Sequence, residues 1–226
     1  GLALTGSHHL MRQPKAMIFH GPSGANGKST LQQIMEGIMP SGSVSHVSPD
    51  SFSSEQYVVG LIGKKLNLSD EVPKNKELQS DRFKALITGD PVMGKRVYRN
   101  PFSFKSKAMH VFAANNLPRF SHVDGGLTRR LMIIPFPHTI PVNKRVPDIA
   151  QRILKAEGTI IFSLAIKAAA DAITRKNLTI PKVSEEDNLK LGKKDAEYLA
   201  AMDEAIMEAI DNGCLDDQGH LEYDNV

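Results

Sequence analysis

One ten-residue stretch, Gly21-Pro22-Ser23-Gly24-Ala25-Asn26-Gly27-Lys28-Ser29-Thr30, constrains this chain more than any other. It follows a short apolar run, Ala16-Met17-Ile18-Phe19, and precedes a helix-like segment opening Thr30-Leu31-Gln32-Gln33-Ile34-Met35. That is the strand, glycine loop and helix order that a phosphate-binding loop requires. Glycines let backbone N–H groups turn inward around phosphate oxygens, and a helix N-terminus adds partial positive charge. Lys28 then reaches the β- and γ-phosphates of a nucleotide, and Ser29 ligates Mg²⁺. The usual pattern has glycine five residues before Gly27, where this chain has Pro22; Gly21 stands one residue earlier. The loop is therefore expected either to be one residue longer or to use Pro22 in its opening turn.

The 226 residues suffice for one sizeable α/β domain with appendages. No apolar run approaches the roughly 20 residues of a membrane span. The longest, Gly158 to Ala170, is too short and is flanked by charge. No secretory signal is present, and the opening Gly1-Leu2-Ala3-Leu4-Thr5-Gly6 reads as a cut from a longer protein. A lone Cys214 excludes an internal disulfide or a cysteine metal cluster and suits a reducing cytoplasm. The net charge of +3 hides an asymmetry: the first 194 residues hold all 28 basic but only 15 of the 25 acidic residues, a net of +13. A basic body suggests a polyanionic partner, most often nucleic acid. The acidic end reads as a solvated helix followed by a linker, or, less favoured, as a mimic that covers the basic surface.

Apolar periodicity alternates strands with helices, predicting a mainly parallel, helix-covered sheet. Strands are expected near Lys15–His20, Ser43–Val47, Lys65–Ser69, Met109–Ala114 and Leu131–Phe136, with a hairpin over Val92–Phe104 turning at Arg99-Asn100-Pro101. Helices are expected near Lys28–Met39, Ser54–Ile62, Glu77–Thr88, from Pro147 to Lys176, and over Glu185–Asp211. The proline-rich stretch Pro135–Pro147 marks the best boundary. The expected organisation is a core over 1–140, a C-terminal helical region over 141–212 and an acidic tail or linker over 213–226.

Hydrolysis needs more than a P-loop: an acid at a neighbouring strand end for Mg²⁺ and a carboxylate for water. Lys65-Leu66-Asn67-Leu68-Ser69-Asp70-Glu71 offers Asp70 for the metal and Glu71 for the attacking water. The apolar run Met109–Ala114 ends in Asn115-Asn116-Leu117-Pro118, where an amide can hydrogen-bond the γ-phosphate or the water. Arg129 and Arg130 stand at the start of another apolar strand, and arginine supplies rigid multidentate donors to phosphate. From Pro91 to Lys107 there are five basic residues and no acid, with Tyr98, Phe102 and Phe104 interleaved. Basic side chains track phosphates, and an aromatic stacks on a base without reading sequence. Phe102 and Phe104 are expected to pack in the core, leaving Lys95, Arg96 and Arg99 for nucleic acid.

This ordered set resembles superfamily 3 helicases, closest to the phage, plasmid and poxvirus primase-helicase type. The matching text is Gly24 to Thr30, Leu68-Ser69-Asp70-Glu71, Phe83 to Pro91, Ala114 to Pro118, and Gly125-Gly126-Leu127-Thr128-Arg129-Arg130-Leu131 through Phe136. The resemblance implies an AAA+ P-loop NTPase fold working as a ring, usually a hexamer, on single-stranded DNA with 3′→5′ polarity, in a bacterial host or virus-infected cell. It implies that Gly24, Ala25, Asn26, Gly27, Lys28, Ser29 and Thr30 bind ATP, that Ser29 and Asp70 hold Mg²⁺, and that Asp70 and Glu71 form the acidic strand end. It further implies Asn115 as phosphate sensor and Arg129 or Arg130 as a finger to the adjacent subunit. Lys95 to Lys105 matches the hairpin that enters the ring's channel; relatives often carry Lys-His near the tip, where this chain has Val97-Tyr98-Arg99. Thr128 stands where relatives often have Trp. A primase domain upstream of Gly1 is an expectation of the same resemblance. Two other readings use the same site: a non-translocating, ATP-gated initiator or helicase loader, and, less well supported by the basic segment, a small-molecule kinase.

Overall fold

A computed structural model describes residues 1–21, 24–70, 72 and 76–180. Glu71, Cys214, the helix expected over Glu185–Asp211 and the acidic tail lie outside the described residues. The chain divides into two units, and all described residues belong to the first, Gly1–Asn188.

In chain order the elements are α1 (Leu2–Thr5), β1 (Ala16–His20), α2 (Lys28–Gly37), β2 (Val44–Ser45), β3 (Leu66–Ser69), β4 (Glu77–Leu78), α3 (Ser80–Thr88), β5 (Pro91–Gly94), β6 (Phe102–Lys105), β7 (Met109–Ala114), β8 (Arg119–Phe120), α4 (Gly125–Thr128), β9 (Leu131–Pro135) and α5 (Ile149–Arg175). The main sheet is parallel throughout, ordered β2-β3-β7-β1-β9. All six residues of β7, the central strand, are buried, as the near-continuous apolar run of a two-sided parallel strand demands.

Strand alternation divides the core. One face carries Phe19, Leu66, Leu68, Met109 and Val111, packed with Leu2 and Ala3 of α1 and with Ala169 and Ala172 of α5. The other carries His110 and Phe112, against which Phe52 and Phe83 form a ring cluster with centroids 5.2–6.1 Å apart. Asn67 of β3 is fully buried there, its Oδ1 accepting from Ser45 Oγ and Val47 N and its Nδ2 donating to Val47 O. It substitutes for the ladder where β2 is only two residues long.

Three expectations need correction. Ser54–Ile62 is not an α-helix: two 3₁₀ turns, Pro49–Ser53 and Val58–Leu61, bury Phe52, Val58 and Leu61. The pair Val58-Val59 followed by Gly60 disfavours an α-helix, since β-branching and glycine both lower helix propensity. Helix α3 starts at Ser80 rather than Glu77, because Glu77 and Leu78 pair in parallel with Arg119 and Phe120. The hairpin has strands β5 and β6, and its 95–101 loop projects at Tyr98, three residues before Pro101.

Candidate functional site

Three strands of the parallel sheet deliver their C-terminal ends to one edge. His20 pairs with Ala114, which sets Gly21 level with Asn115, and Ser69 pairs with Phe112, which places Asp70 just beyond β3. Because β7 lies between β1 and β3, the acidic end stands two strands from the P-loop, about 10 Å across at ordinary strand spacing. The Asn115 strand end fills the middle.

The loop itself turns through left-handed backbone at Ala25 (φ 55°) and Gly27 (φ 88°), and Gly27 is the N-cap of α2. Gly21 has no room for a side chain: a Cβ there would stand 2.2 Å from Asn26 Nδ2 and 2.6 Å from Phe136 O. The chain after β9 closes over the loop. Phe136 N donates to His20 O at 2.6 Å, Ile140 N donates to Ala25 O at 2.8 Å, and Asn26 Nδ2 donates to Phe136 O at 3.3 Å.

Lys28 is buried at the first turn of α2. Its Nζ donates to Gly21 O, Asn26 Oδ1 and Asn115 Oδ1, each at 3.0 Å. Burial pulls its pKa below the ordinary lysine value. Three oxygen acceptors are satisfied together only by an ammonium with three hydrogens, so the same geometry retains the charge. The sequence-predicted P-loop lysine and amide sensor are thus brought together across β1 and β7.

Ser29 and Asp70 are exposed. A hydroxyl and a carboxylate are the hard oxygen donors that Mg²⁺ takes, usually with substrate phosphates and water completing its octahedron. Among the described residues there is no cluster of three or more His, Cys, Asp and Glu, and a Mg²⁺–phosphate site does not need one. One residue that the sequence reading missed supports this edge. Gln32, one helical turn after Lys28, is buried and its Nε2 donates to Ser69 O at 3.1 Å and Val111 O at 3.3 Å. It ties α2 to the strand end that carries Asp70. Its spacing of four from Lys28 was the available signal.

Arg129 and Arg130 lie elsewhere. They precede β9, which runs parallel to β1 with Ala16 opposite Leu131, so they stand at the edge of the sheet where β1 begins. The P-loop lies at the other edge. Neither arginine therefore stands beside the glycine loop of its own chain. Helix α4 sets them in place: Asp124 caps it by accepting from Leu127 N at 2.6 Å and holds Lys84 of α3 at 3.1 Å. That backbone bond, with Lys84, holds the Asp124 carboxyl below its ordinary value. Lys15 Nζ donates to the Arg129 carbonyl, and Arg130 Nη1 donates to Gly126 O at 2.7 Å.

The hairpin groups the remaining residues. Lys95, Arg96, Tyr98, Arg99 and Lys105 are all exposed, Tyr98 at 99% with φ 58°. Phe102 and Phe104 do not enter the core as expected. They are half-buried on β6, 6.1 Å apart, and the Arg96 guanidinium lies 5.7 Å from the Phe102 ring. Two alternate residues on one face of a two-stranded ribbon support each other and the loop instead of reaching the main sheet.

A family model described as a family of unknown function, DUF5906, matches residues 19–130, the stretch from β1 to the arginine pair. Over 121 residues the chain is 27% identical to the "Putative helicase L207/L206" of Acanthamoeba polyphaga mimivirus, covering 50% of this chain and 13% of that protein. Among solved structures, one of the NrS-1 C-terminal region in its apo state superposes with TM-score 0.61 at 15% identity, over 96% of this chain and 55% of that one. A second, A-form structure of that region gives TM-score 0.52 at 13% identity, over 96% and 54%. The likeness is one of fold: an α/β, mainly parallel five-stranded sheet flanked by helices, of P-loop NTPase type. The chain spans about half the length of those structures and a smaller part of the mimivirus protein. Among the described residues no helix is long and apolar enough to cross a membrane.

Proposed function

We propose that this chain is the ATPase part of a helicase-type replication protein of a mobile element, which hydrolyses ATP between subunits of a homo-oligomeric ring to move along single-stranded DNA. The observation that carries the reading is the convergence of Gly21, Asn26 and Asn115 oxygens on Lys28 Nζ, on the sheet edge that also ends in Asp70. The similarity to a protein named as a helicase supports it, and the order of the motifs, which resembles that of superfamily 3 helicases, favours that class.

In this reading the N–H groups of Gly24 to Thr30 and the Lys28 ammonium hold the triphosphate. Lys28 exchanges its internal acceptors for phosphate oxygens. Ser29 and Asp70 would hold Mg²⁺, which would supply positive charge against the triphosphate. Glu71 orients water for in-line attack on the γ-phosphorus as the bond to the β–γ bridging oxygen breaks, releasing ADP and phosphate. Asn115, already bonded to Lys28, registers the γ-phosphate and passes the change to β7. Arg129 or Arg130 serves the neighbouring subunit, because the sheet separates both from their own P-loop. Lys95, Arg96, Arg99 and Lys105 bind DNA phosphates, and Tyr98 stacks on a base. A hexamer is the ring size that the resemblance implies.

The test is ATPase rate per subunit against protein concentration, with and without single-stranded DNA, beside Lys28→Ala. A rate that rises cooperatively with concentration, jumps with DNA and is lost in Lys28→Ala is expected. A slow rate that ignores both concentration and DNA, yet is lost in Lys28→Ala, would replace the motor with an ATP-gated switch.

A further inference from the structure

The sheet edge opposite the P-loop contains a pocket of about 240 Å³ lined by Arg12, Gln13, Pro14, Thr88, Arg129 and Arg130. Three guanidinium side chains line it and no carboxylate does. They come from three parts of the chain. Arg12 lies in the segment that leads into β1, its backbone N–H fixed to Lys176 O at the end of α5. Arg129 and Arg130 follow α4, and Thr88 ends α3.

Within the described residues, none of the three arginines takes part in an ion pair. Arg130 spends Nη1 on Gly126 O, while its Nε is buried without a hydrogen-bond partner. Gathering three like charges around a concavity costs free energy through their mutual repulsion. An anion bound among them offsets that repulsion. Planar guanidinium forks from several directions suit the tetrahedral oxygens of a phosphoryl group better than a flat carboxylate.

Two phosphate sources have this chemistry: a nucleotide and a DNA backbone. The basic residues fit to track a DNA strand lie on the exposed hairpin, whereas this site is concave and sits beside the arginines that stand away from their own glycine loop. We infer that Arg12 is a third phosphate-binding arginine acting in trans: with Arg129 and Arg130 it receives the terminal phosphate of the ATP held by a neighbouring copy's P-loop. This rests on the assembled-ATPase reading and adds to it a residue that no motif marks.

The experiment uses the full chain and four variants: Arg12→Ala, Arg12→Lys, Arg130→Ala and Lys28→Ala. Arg12 is exposed, so Arg12→Ala is expected to keep the wild-type thermal midpoint and to bind a fluorescent ATP analogue within about twofold of wild type. Its ATPase rate should fall at least about tenfold, since an arginine at a developing phosphate charge supplies about 10³–10⁵-fold. Arg12→Lys should restore little, because a point charge lacks the fork. An equimolar mixture of Arg12→Ala and Lys28→Ala should exceed either alone, because some interfaces then pair an intact P-loop with an intact pocket.

An undiminished rate in Arg12→Ala, or a loss that mixing never repairs, overturns the proposal. If mixtures of Arg130→Ala with Lys28→Ala recover and those with Arg12→Ala do not, only the place of Arg12 falls. If the deficit is confined to the DNA-stimulated rate and DNA binding loses salt dependence, the phosphate belongs to DNA and the nucleotide assignment is wrong. A wild-type rate independent of protein concentration removes the assembled reading itself, and the trans site with it.

Discussion

Acid should unfold this protein through two histidines before its carboxylates matter. His8 is 2% exposed and His110 is fully buried. Burial lowers His8 to about 4, against a backbone contact with Lys15 that acts the other way, and the neighbouring His9 adds to the lowering. Burial, with a smaller push from His8, lowers His110 to about 3. His8 Nε2 accepts from Lys15 N at 3.1 Å, so protonating it takes away the acceptor that anchors the start of β1. His110 stands among Phe52, Phe112 and Asn67, and the Leu86 backbone that favours its charged form offsets only part of the cost of burial. Both histidines are neutral in the fold, whereas the unfolded chain takes up a proton on each below about pH 6.5. Stability is therefore complete above pH 6.5 and falls as pH drops towards 4, flattening for His8 once the folded state also accepts its proton. One pKa unit is worth about 1.4 kcal/mol. Each histidine then costs about 3 kcal/mol over that window, and the pair about 6–7 kcal/mol, comparable with the whole stability of an ordinary domain. Asp124, held low by Leu127 N and Lys84, and Asp50, held low by Lys76 and Ser48 despite its burial, titrate beneath the window. Urea unfolding followed by far-ultraviolet circular dichroism at pH 7.5, 6.5, 5.5 and 4.5 measures the slope. A slope approaching about 3 kcal/mol per pH unit is expected where both histidines are protonated in the unfolded chain and neutral in the fold, and about half of that in His110→Leu. A flat stability from pH 7.5 to 4.5, or an unaltered slope in the variant, refutes the reasoning.

Gly21→Ala should displace Asn26 and with it one of the acceptors of Lys28, weakening nucleotide binding by tenfold or more; overpacking adds about 1–3 kcal/mol of instability. Equilibrium binding of a fluorescent ATP analogue and a urea midpoint that both match wild type would count against it. Phe83→Ala empties the centre of the ring cluster, where Phe83 lies 5.1 Å from Phe120 and 6.0 Å from Phe52, and should cost about 3–5 kcal/mol in chemical denaturation. Lys95→Ala with Arg99→Ala should flatten the log–log salt dependence of single-strand binding by about 1.4, at about 0.7 per lost phosphate contact. An unchanged slope in anisotropy titrations would take the hairpin loop off the DNA.

What was legible in the chain depended on how local the cause was. The P-loop was readable because its glycines, its lysine and its flanking apolar run are contiguous. Asp70 and Asn115 were readable because each directly follows an apolar run that ends at the same sheet edge. The basic, acid-free stretch around Tyr98 announced an exposed hairpin, although its tip was placed too late: proline marked the nearer turn, while a left-handed Tyr98 made the real one. The short strands β4 and β8 were not legible, since two residues carry no period and their pairing depends on a partner 42 residues away. Gln32 and Arg12 were missed for the same reason. Their roles arise only when strand ends and segment starts from distant parts of the chain meet, and neither carries a motif. Glu71, the residue read as orienting water, lies outside the described residues and keeps its role as a proposal.

The mounting of the hairpin bears on how force would be delivered. Only Gly89 and Asp90 separate α3 from β5, with Gly89 in left-handed backbone, and Thr88 Oγ1 donates within this corner. Gly94 is wedged against Phe104 and Val59, Lys95 N holds Glu55 O, and Arg82 holds Met93 O. A ribbon clamped this way at its root behaves as a tooth rather than a whip. Its tip travels as far as its mounting travels and little further; in the proposed ring, the stride along DNA would then be geared to how neighbouring subunits shift past one another, and lengthening the 95–101 loop would add slack without adding stride.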